Sequence, residues 1–360
     1  MKVTTLAFLL PQFHPIPEND AWWGRGFTEW RNVTAARPRF LGHDQPRLPA
    51  DLGFYDLRVP QTRHDQAELA AAHRVDAFVY YHYWFSGRRV LEQPLEGVLA
   101  SGAPDHPFCI CWANENWTRR WDGADEDVLL GQHYSDEDDE AHITSLLPML
   151  LDPRYVRVDG KPLVLVHRLD LLPDAPGMTA RWQAAAVRAG LPGLHLAASQ
   201  LIPQQQGDPR TRGFDSGVDF QPNFATMPNA RPVWTAYKRL DPRQRTRKDH
   251  VLEYDDLVAR VRSRPIPDYP QWPGVCPGWD NSPRRASGAL IIRGSTPDKY
   301  RAWVVETLRA ERSRGRTSTL LFVNAWNEWA EGAVLEPDRR WGRGYLEAHR
   351  DAVSLIEQEG

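Results

Sequence analysis

The chain has 360 residues, 41% hydrophobic and 25% charged, a balance that supplies a sizeable core and excludes the composition of disordered chains. Its formal net charge of -3 offers no basic field of the kind that gathers nucleic acid or anionic lipid, so small or neutral ligands fit better. No run approaches the roughly 18 consecutive apolar residues of a membrane-spanning helix.

The first apolar run, residues 6–10, reads as a strand. The stretch before it holds one lysine and is interrupted by Thr4 and Thr5, and Pro11 follows without a small-residue cleavage pattern, so a signal peptide is not indicated. Similar short runs recur at 77–81, 108–112, 163–167, 194–198, 216–221, 274–277 and 319–325. Helical patterns fall between them at 61–75, 136–151 after Ser135 as N-cap, and 181–189. A further helix follows Thr296 as N-cap with Pro297 at its first position, and another spans 345–357. Strands alternating with helices predict a parallel sheet, because parallel strands need crossover connections. With eight such strands, no Gly-x-Gly-x-x-Gly turn, and polar and aromatic residues at several strand ends, the expected fold is a single (β/α)8 TIM-type barrel covering residues 1–360. Long Pro-, Gly- and Arg-rich pieces at 13–59 and 203–256 are expected to fold over its C-terminal mouth as loops. Cys109, Cys111 and Cys276 are a sparse, odd set, with the first two on one face of a buried strand, which suits a reduced, cytoplasmic setting.

Fifteen tryptophans stand in this chain, many beside Glu, Asp, Asn or His. Indole faces flanked by polar groups suit sugar rings, whose C–H faces stack while their hydroxyls pair with carboxylates and amides. Trp22, Trp23, Trp30, Trp84, Trp117, Trp121, Trp279 and Trp329 are the candidate platforms, although packing between strands and helices uses the same residue. The last strand ends in Asn327, Glu328, Trp329, Ala330 and Glu331, two carboxylates three residues apart. One turn of chain at the barrel mouth aims both the same way, and glycosidic chemistry needs such a pair, one protonated and one ionised. The same spacing also suits a solvated turn or an ion pair.

Several stretches carry a family resemblance. Asn327-Glu328-Trp329-Ala330-Glu331-Gly332 resembles the catalytic motif of glycoside hydrolase family 99, the endo-α-mannosidases and endo-α-mannanases. Leu10-Pro11-Gln12-Phe13-His14-Pro15, Trp22-Trp23-Gly24-Arg25-Gly26-Phe27-Thr28-Glu29-Trp30, Tyr80-Tyr81-His82-Tyr83-Trp84-Phe85 and Trp112-Ala113-Asn114-Glu115-Asn116-Trp117 resemble the related WbsX-type glycosyltransferases of bacterial surface polysaccharides, over nearly the whole chain. The hydrolase resemblance implies that Glu328 acts as base on the substrate's 2-hydroxyl, giving a 1,2-anhydro sugar, with Glu331 as acid and later base. Ala330 stands where the hydrolase motif has histidine, which weakens any transfer of sugar specificity.

If the strand ends converge, Gln12, His14, Tyr81, His82, Tyr83, Asn114, Glu115, Asn116, Asp280 and Asn327 supply the groups that hold the saccharide. Glu115 is an alternative acid, since an Asn-Glu pair ending a strand resembles that of other barrel glycosidases. Arg119 and Arg120 suit an acidic group or a structural ion pair with Asp122, and Asp125-Glu126-Asp127 reads as a solvated acidic turn. No metal-ligand spacing and no cofactor motif is found. The expected function is cleavage or transfer of α-linked, mannose-type sugars in a bacterial polysaccharide. Glycosyl transfer in O-antigen or other surface-polysaccharide assembly is the alternative, and an inactive sugar-binding module a third reading.

Overall fold

The computed structural model describes residues 1–119, 124–234 and 248–359. Nine parallel strands form the central sheet: β1 (Lys2–Leu9), β2 (Ala77–Phe85), β3 (Phe108–Trp112), β4 (Lys161–Val166), β5 (His195–Ser199), β6 (Ser216–Val218), β7 (Gln271–Trp272), β8 (Gly274–Val275) and β9 (Ser318–Val323). Their hydrogen-bonded order is β7-β6-β5-β4-β3-β2-β1-β9-β8.

The ends of that order meet in the sequence itself. β7 and β8 are separated only by Pro273; β7 pairs with β6 and β8 pairs with β9, so one divided stave completes the ring. Proline has no N–H to give to a ladder. Its carbonyl still accepts from the Phe322 N–H at 3.0 Å. The sheet is therefore the expected α/β barrel, in which Phe8 fills the interior with its ring 5.0 Å from Phe220, 5.6 Å from Tyr81 and 6.0 Å from Phe322.

Outside the ring lie the crossover helices, among them Pro60–Ala72, Gln93–Ser101, Asp136–Leu150, Ala175–Arg188 and Pro297–Ser313, with Gly344–Gln358 after the last strand. Two starts follow the sequence pattern closely. Ser135 Oγ accepts the Asp138 N–H at 3.1 Å, and Thr296 Oγ1 accepts the Lys299 N–H at 3.3 Å ahead of Pro297. Tyr300 Oη and His349 Nδ1, 3.0 Å apart, join the last two helices.

The two long pieces expected as loops contain regular structure. The first holds the helices Pro17–Trp23 and Trp30–Ala35. The second contributes Arg231–Trp234 and Lys248–Glu253 to a four-stranded side sheet with Leu290–Arg293 and Trp279–Asp280. β2 runs on to Phe85 because Tyr83, Trp84 and Phe85 pair with a short return strand, Arg88–Val90. Among the described residues no helix is long and apolar enough to cross a membrane, and the three cysteines are free and buried.

Candidate active site

Side chains alternate across a strand, and at the end of β2 that alternation divides the predicted residues into two sets. Tyr81 and Tyr83 line a cavity of about 260 Å³ together with residues that follow β1, β3, β4 and β9. His82 and Trp84 face the helix Asp136–Leu150 instead. The Trp84 ring stacks on His142 at 4.7 Å and its Nε1 donates to Asp138 at 3.0 Å, while His82 Nε2 lies 2.9 Å from His142 Nε2. Both were expected at the mouth; the pleat sends them outward, and burial lowers the His82 pKa to about 3.

Beyond β9 the chain forms a tight hairpin in which Asn327–Glu328 pairs with Ala333–Val334 across the turn Trp329–Glu331. Gly332 closes this turn at φ 65°, and a Cβ there would lie 2.9 Å from the Asp280 nitrogen, so both conformation and space call for glycine. Asn327 fixes the hairpin to β1: its Oδ1 accepts the Leu10 N–H at 2.7 Å and its Nδ2 donates to the Leu10 carbonyl at 3.0 Å.

Glu328 and Glu331 meet at one guanidinium. Arg284 Nη2 lies 2.9 Å from Glu328 Oε2, Nη1 lies 2.7 Å from Glu331 Oε1, and Nε donates to Glu29 Oε1 at 2.7 Å. The side chain of Glu29 is 0% exposed, Glu328 6% and Glu331 22%. Arg284 ends the turn Ser282–Arg284, between two strands of the side sheet. Buried Arg39 clamps that turn, donating to the Ser282 carbonyl at 2.7 Å and to the Arg285 carbonyl while its Nη1 pairs with Asp249 at 2.6 Å.

Three carboxylates against one guanidinium cannot all be ionised cheaply in a buried place. Burial pushes Glu328 up to about 8; Arg284 opposes the rise, and the charges of Glu331 and Glu29 add to it. Burial also raises Glu331, again against Arg284. Burial disfavours the charge on Arg284, but the three glutamates outweigh it and hold its pKa well above the ordinary value. Both carboxyls are therefore raised together by burial, and Glu328 is the more deeply buried of the two.

The wall opposite is aromatic and polar. Trp22, Trp23 and Trp117 line the cavity, and Trp117 stands edge-on to Trp22 at 5.8 Å and to Tyr83 at 5.2 Å. Gln12, Glu115 and Asn116 reach the same space. Glu115 is ion-paired with Arg168, which also holds Asp170 at 2.7 Å, and Asn116 Oδ1 accepts the Gln132 N–H at 2.7 Å.

Other predicted residues hold the frame. Asn114 bonds the Arg168 backbone at both ends of its amide, at 2.7 and 2.8 Å. Trp329 is buried and donates to Glu336 at 2.7 Å; Trp30 is buried and donates to the Tyr55 carbonyl at 2.8 Å. His14 is fully buried, outside the cavity wall, with its pKa lowered by burial. Trp279 and Asp280 line a different cavity of about 390 Å³, where Asp280 Oδ2 lies 2.7 Å from both His43 Nε2 and Gln45 Nε2. The side chains of Arg119, Arg120, Trp121 and Asp125-Glu126-Asp127 lie outside the described residues. Among the described residues no group of three or more His, Cys, Asp or Glu is arranged to hold a metal ion.

Sequence reasoning passed over Glu29, Arg284, Asn19 and His167. Glu29 and Arg284 are 255 positions apart, and no local pattern announces that they meet. His167 closes the predicted fourth strand, and its ring lies 6.0 Å from Tyr81 inside the cavity.

Comparison with known proteins agrees with this architecture. The endo-alpha-mannosidase of glycoside hydrolase family 99 from Bacteroides thetaiotaomicron superposes with a TM-score of 0.57 at 15% identity, over 98% of this chain and 97% of that one. A structure described as a glycoside hydrolase-like protein gives a TM-score of 0.60 at 14% identity, over 97% and 93%. The uncharacterized protein WxcX of Xanthomonas campestris pv. campestris is 47% identical over 98% of this chain, and the chain spans 50% of that protein's length. The model of the family described as "Glycosyltransferase WbsX" matches residues 5–349, and the chain belongs to that family.

Proposed function

We propose that this chain is a carbohydrate-active enzyme that cleaves or transfers α-linked, mannose-type glycosidic bonds of a bacterial polysaccharide, with Glu328 and Glu331 as its working groups. The observation that carries the reading is their convergence on Arg284 in a tryptophan-walled cavity at the C-terminal mouth of a barrel. Two carboxylates that burial raises against one shared guanidinium are candidates for the acid and base.

In the mechanism that the hydrolase resemblance implies, one glutamate takes the proton of the 2-hydroxyl as that oxygen attacks C1. The other gives its proton to the departing oxygen, leaving a 1,2-anhydro sugar. Water then opens the strained ring and each proton returns, with overall retention at C1. The resemblance makes Glu328 the base and Glu331 the acid. Burial, which pushes Glu328 up to about 8, favours the opposite order.

The family's description favours a second reading, transfer, in which an acceptor sugar hydroxyl replaces water in the second half. Incubation with an α-mannan alone, with an α-mannan plus acceptor oligosaccharide, and with a nucleotide sugar, each followed by product analysis, separates the two. Turnover is expected from the wild type and a loss of about 100-fold or more in Glu328→Gln and in Glu331→Gln. Near-normal turnover in both variants sinks the assignment, and saccharide binding without turnover identifies an inactive module.

A further inference from the structure

Arg285 follows the turn that carries Arg284, and its side chain lines the same cavity. Its backbone is held in place, since its carbonyl accepts from the Arg39 guanidinium and its N–H lies 3.4 Å from the Ser282 carbonyl. Its own guanidinium makes no ion pair and no hydrogen bond among the described residues. That contrasts with Arg284 on the preceding turn and with Arg168, each of which is held by carboxylates. A second group points the same way: Asn19 is 1% exposed, belongs to the cavity wall, and its Nδ2 is buried without a hydrogen-bond partner. A partly buried cation and an unsatisfied amide donor, both on the wall of one cavity, are donors waiting for acceptor oxygens.

We propose that Arg285 grips an oxyanion carried by the bound saccharide, either the carboxylate of a uronic acid or the phosphoryl group of a glycosyl phosphate. A planar guanidinium meets either group through two parallel N–H bonds, whereas a neutral hydroxyl uses one. The inference rests on a saccharide occupying this cavity and deepens that reading by adding charge to the substrate class. Arg285 also alters the electrostatics of Glu331, so the selectivity of binding, and not activity alone, must be the readout.

The test is calorimetric titration of the whole chain with three probes: D-mannose, D-mannuronate and mannose 1-phosphate. At least one anionic probe is expected to bind about 10-fold or more tighter than mannose, and raised salt is expected to reduce that preference. Arg285→Gln is expected to abolish the preference with mannose affinity changed less than about 2-fold, and Arg285→Lys to restore part of it. Which anion wins distinguishes the carboxylate from the phosphoryl source. Equal binding of all three probes, or a preference that survives in Arg285→Gln, overturns the proposal while leaving the glutamate chemistry standing. Failure of both anionic probes to bind also overturns the proposal, whereas the glutamate assignment stands or falls with the turnover of Glu328→Gln and Glu331→Gln. Because the Arg285 guanidinium makes no ion pair or hydrogen bond among the described residues, Arg285→Gln should melt close to the wild type; a folded Arg285→Lys that discriminates no better than Arg285→Gln also counts against the proposal.

Discussion

Asn327 and Leu10 exchange two hydrogen bonds through one side-chain amide, which copies a rung of β-ladder between the first strand and the hairpin that carries Glu328. Asn327→Ala removes both bonds and strands a buried N–H and carbonyl, an expected loss of roughly 2–4 kcal/mol in denaturant unfolding. Asn327→Asp should be no better, because a carboxylate cannot donate to the Leu10 carbonyl. Activity should fall in both, through displacement of Glu328.

Arg284 is the only cation bonded to Glu29, Glu328 and Glu331 among the described residues. Arg284→Gln leaves those carboxylates without compensation, at a cost of about 3–5 kcal/mol when they are charged. Protonation relieves the repulsion, so the variant should melt closest to the wild type in acid and fall progressively behind as pH rises. A constant deficit from pH 4 to pH 9 would contradict the arrangement.

Glu328, which burial pushes up to about 8, is expected to set a pH limit on the proposed activity. If its protonated form is the acid, kcat/KM of the wild type should decline through about pH 8. The residual activity of Glu328→Gln should lose that limb. A limb that persists unchanged assigns the titration to another group.

Glu336 is buried beneath the hairpin, accepting from Gln66 at 2.6 Å, Trp329 at 2.7 Å and Tyr55 at 2.8 Å, and burial raises its pKa from 4.5 to about 7. The fold therefore favours its protonated form: the stabilisation is complete below pH 4.5 and is lost as pH rises through about 7, roughly 3 kcal/mol in all. Glu336→Gln, already neutral, should flatten the melting-temperature profile between pH 5 and pH 8.

Trp117 and Trp84 should respond differently. Trp117→Ala opens the cavity wall and should weaken saccharide binding; Trp84→Ala removes a ring packed on His142 and should lower stability with little change in KM. Equal KM effects would remove the distinction between the two faces of β2.

Much of the barrel was legible because short apolar runs and helix caps are local signals: Ser135, Thr296 and Pro297 begin their helices where residue type alone places them. The pair Glu328 and Glu331 was legible for the same reason, being three residues apart at a strand end. What was not legible is what touches them. Arg284 arrives on the turn between two short side-sheet strands, Trp279–Asp280 and Leu290–Arg293, that are not among the predicted strands, and Glu29 arrives from the first long piece. Polar residues near the mouth were also over-assigned. Asn114, Asn327 and Trp329 carry sugar-binding residue types but spend their hydrogen-bonding groups on backbone and Glu336, a choice that depends on contacts of long sequence separation.

The stave broken at Pro273 gives the ring a seam. Its first half is hydrogen-bonded to β6 and its second to β9, the strand that leads to the glutamates. The Phe322 N–H is bonded to the Pro273 carbonyl while the Gly217 and Asp219 N–H groups are bonded to the Pro270 and Trp272 carbonyls on the other half, so amide exchange on the two sides of the seam is expected to be separable.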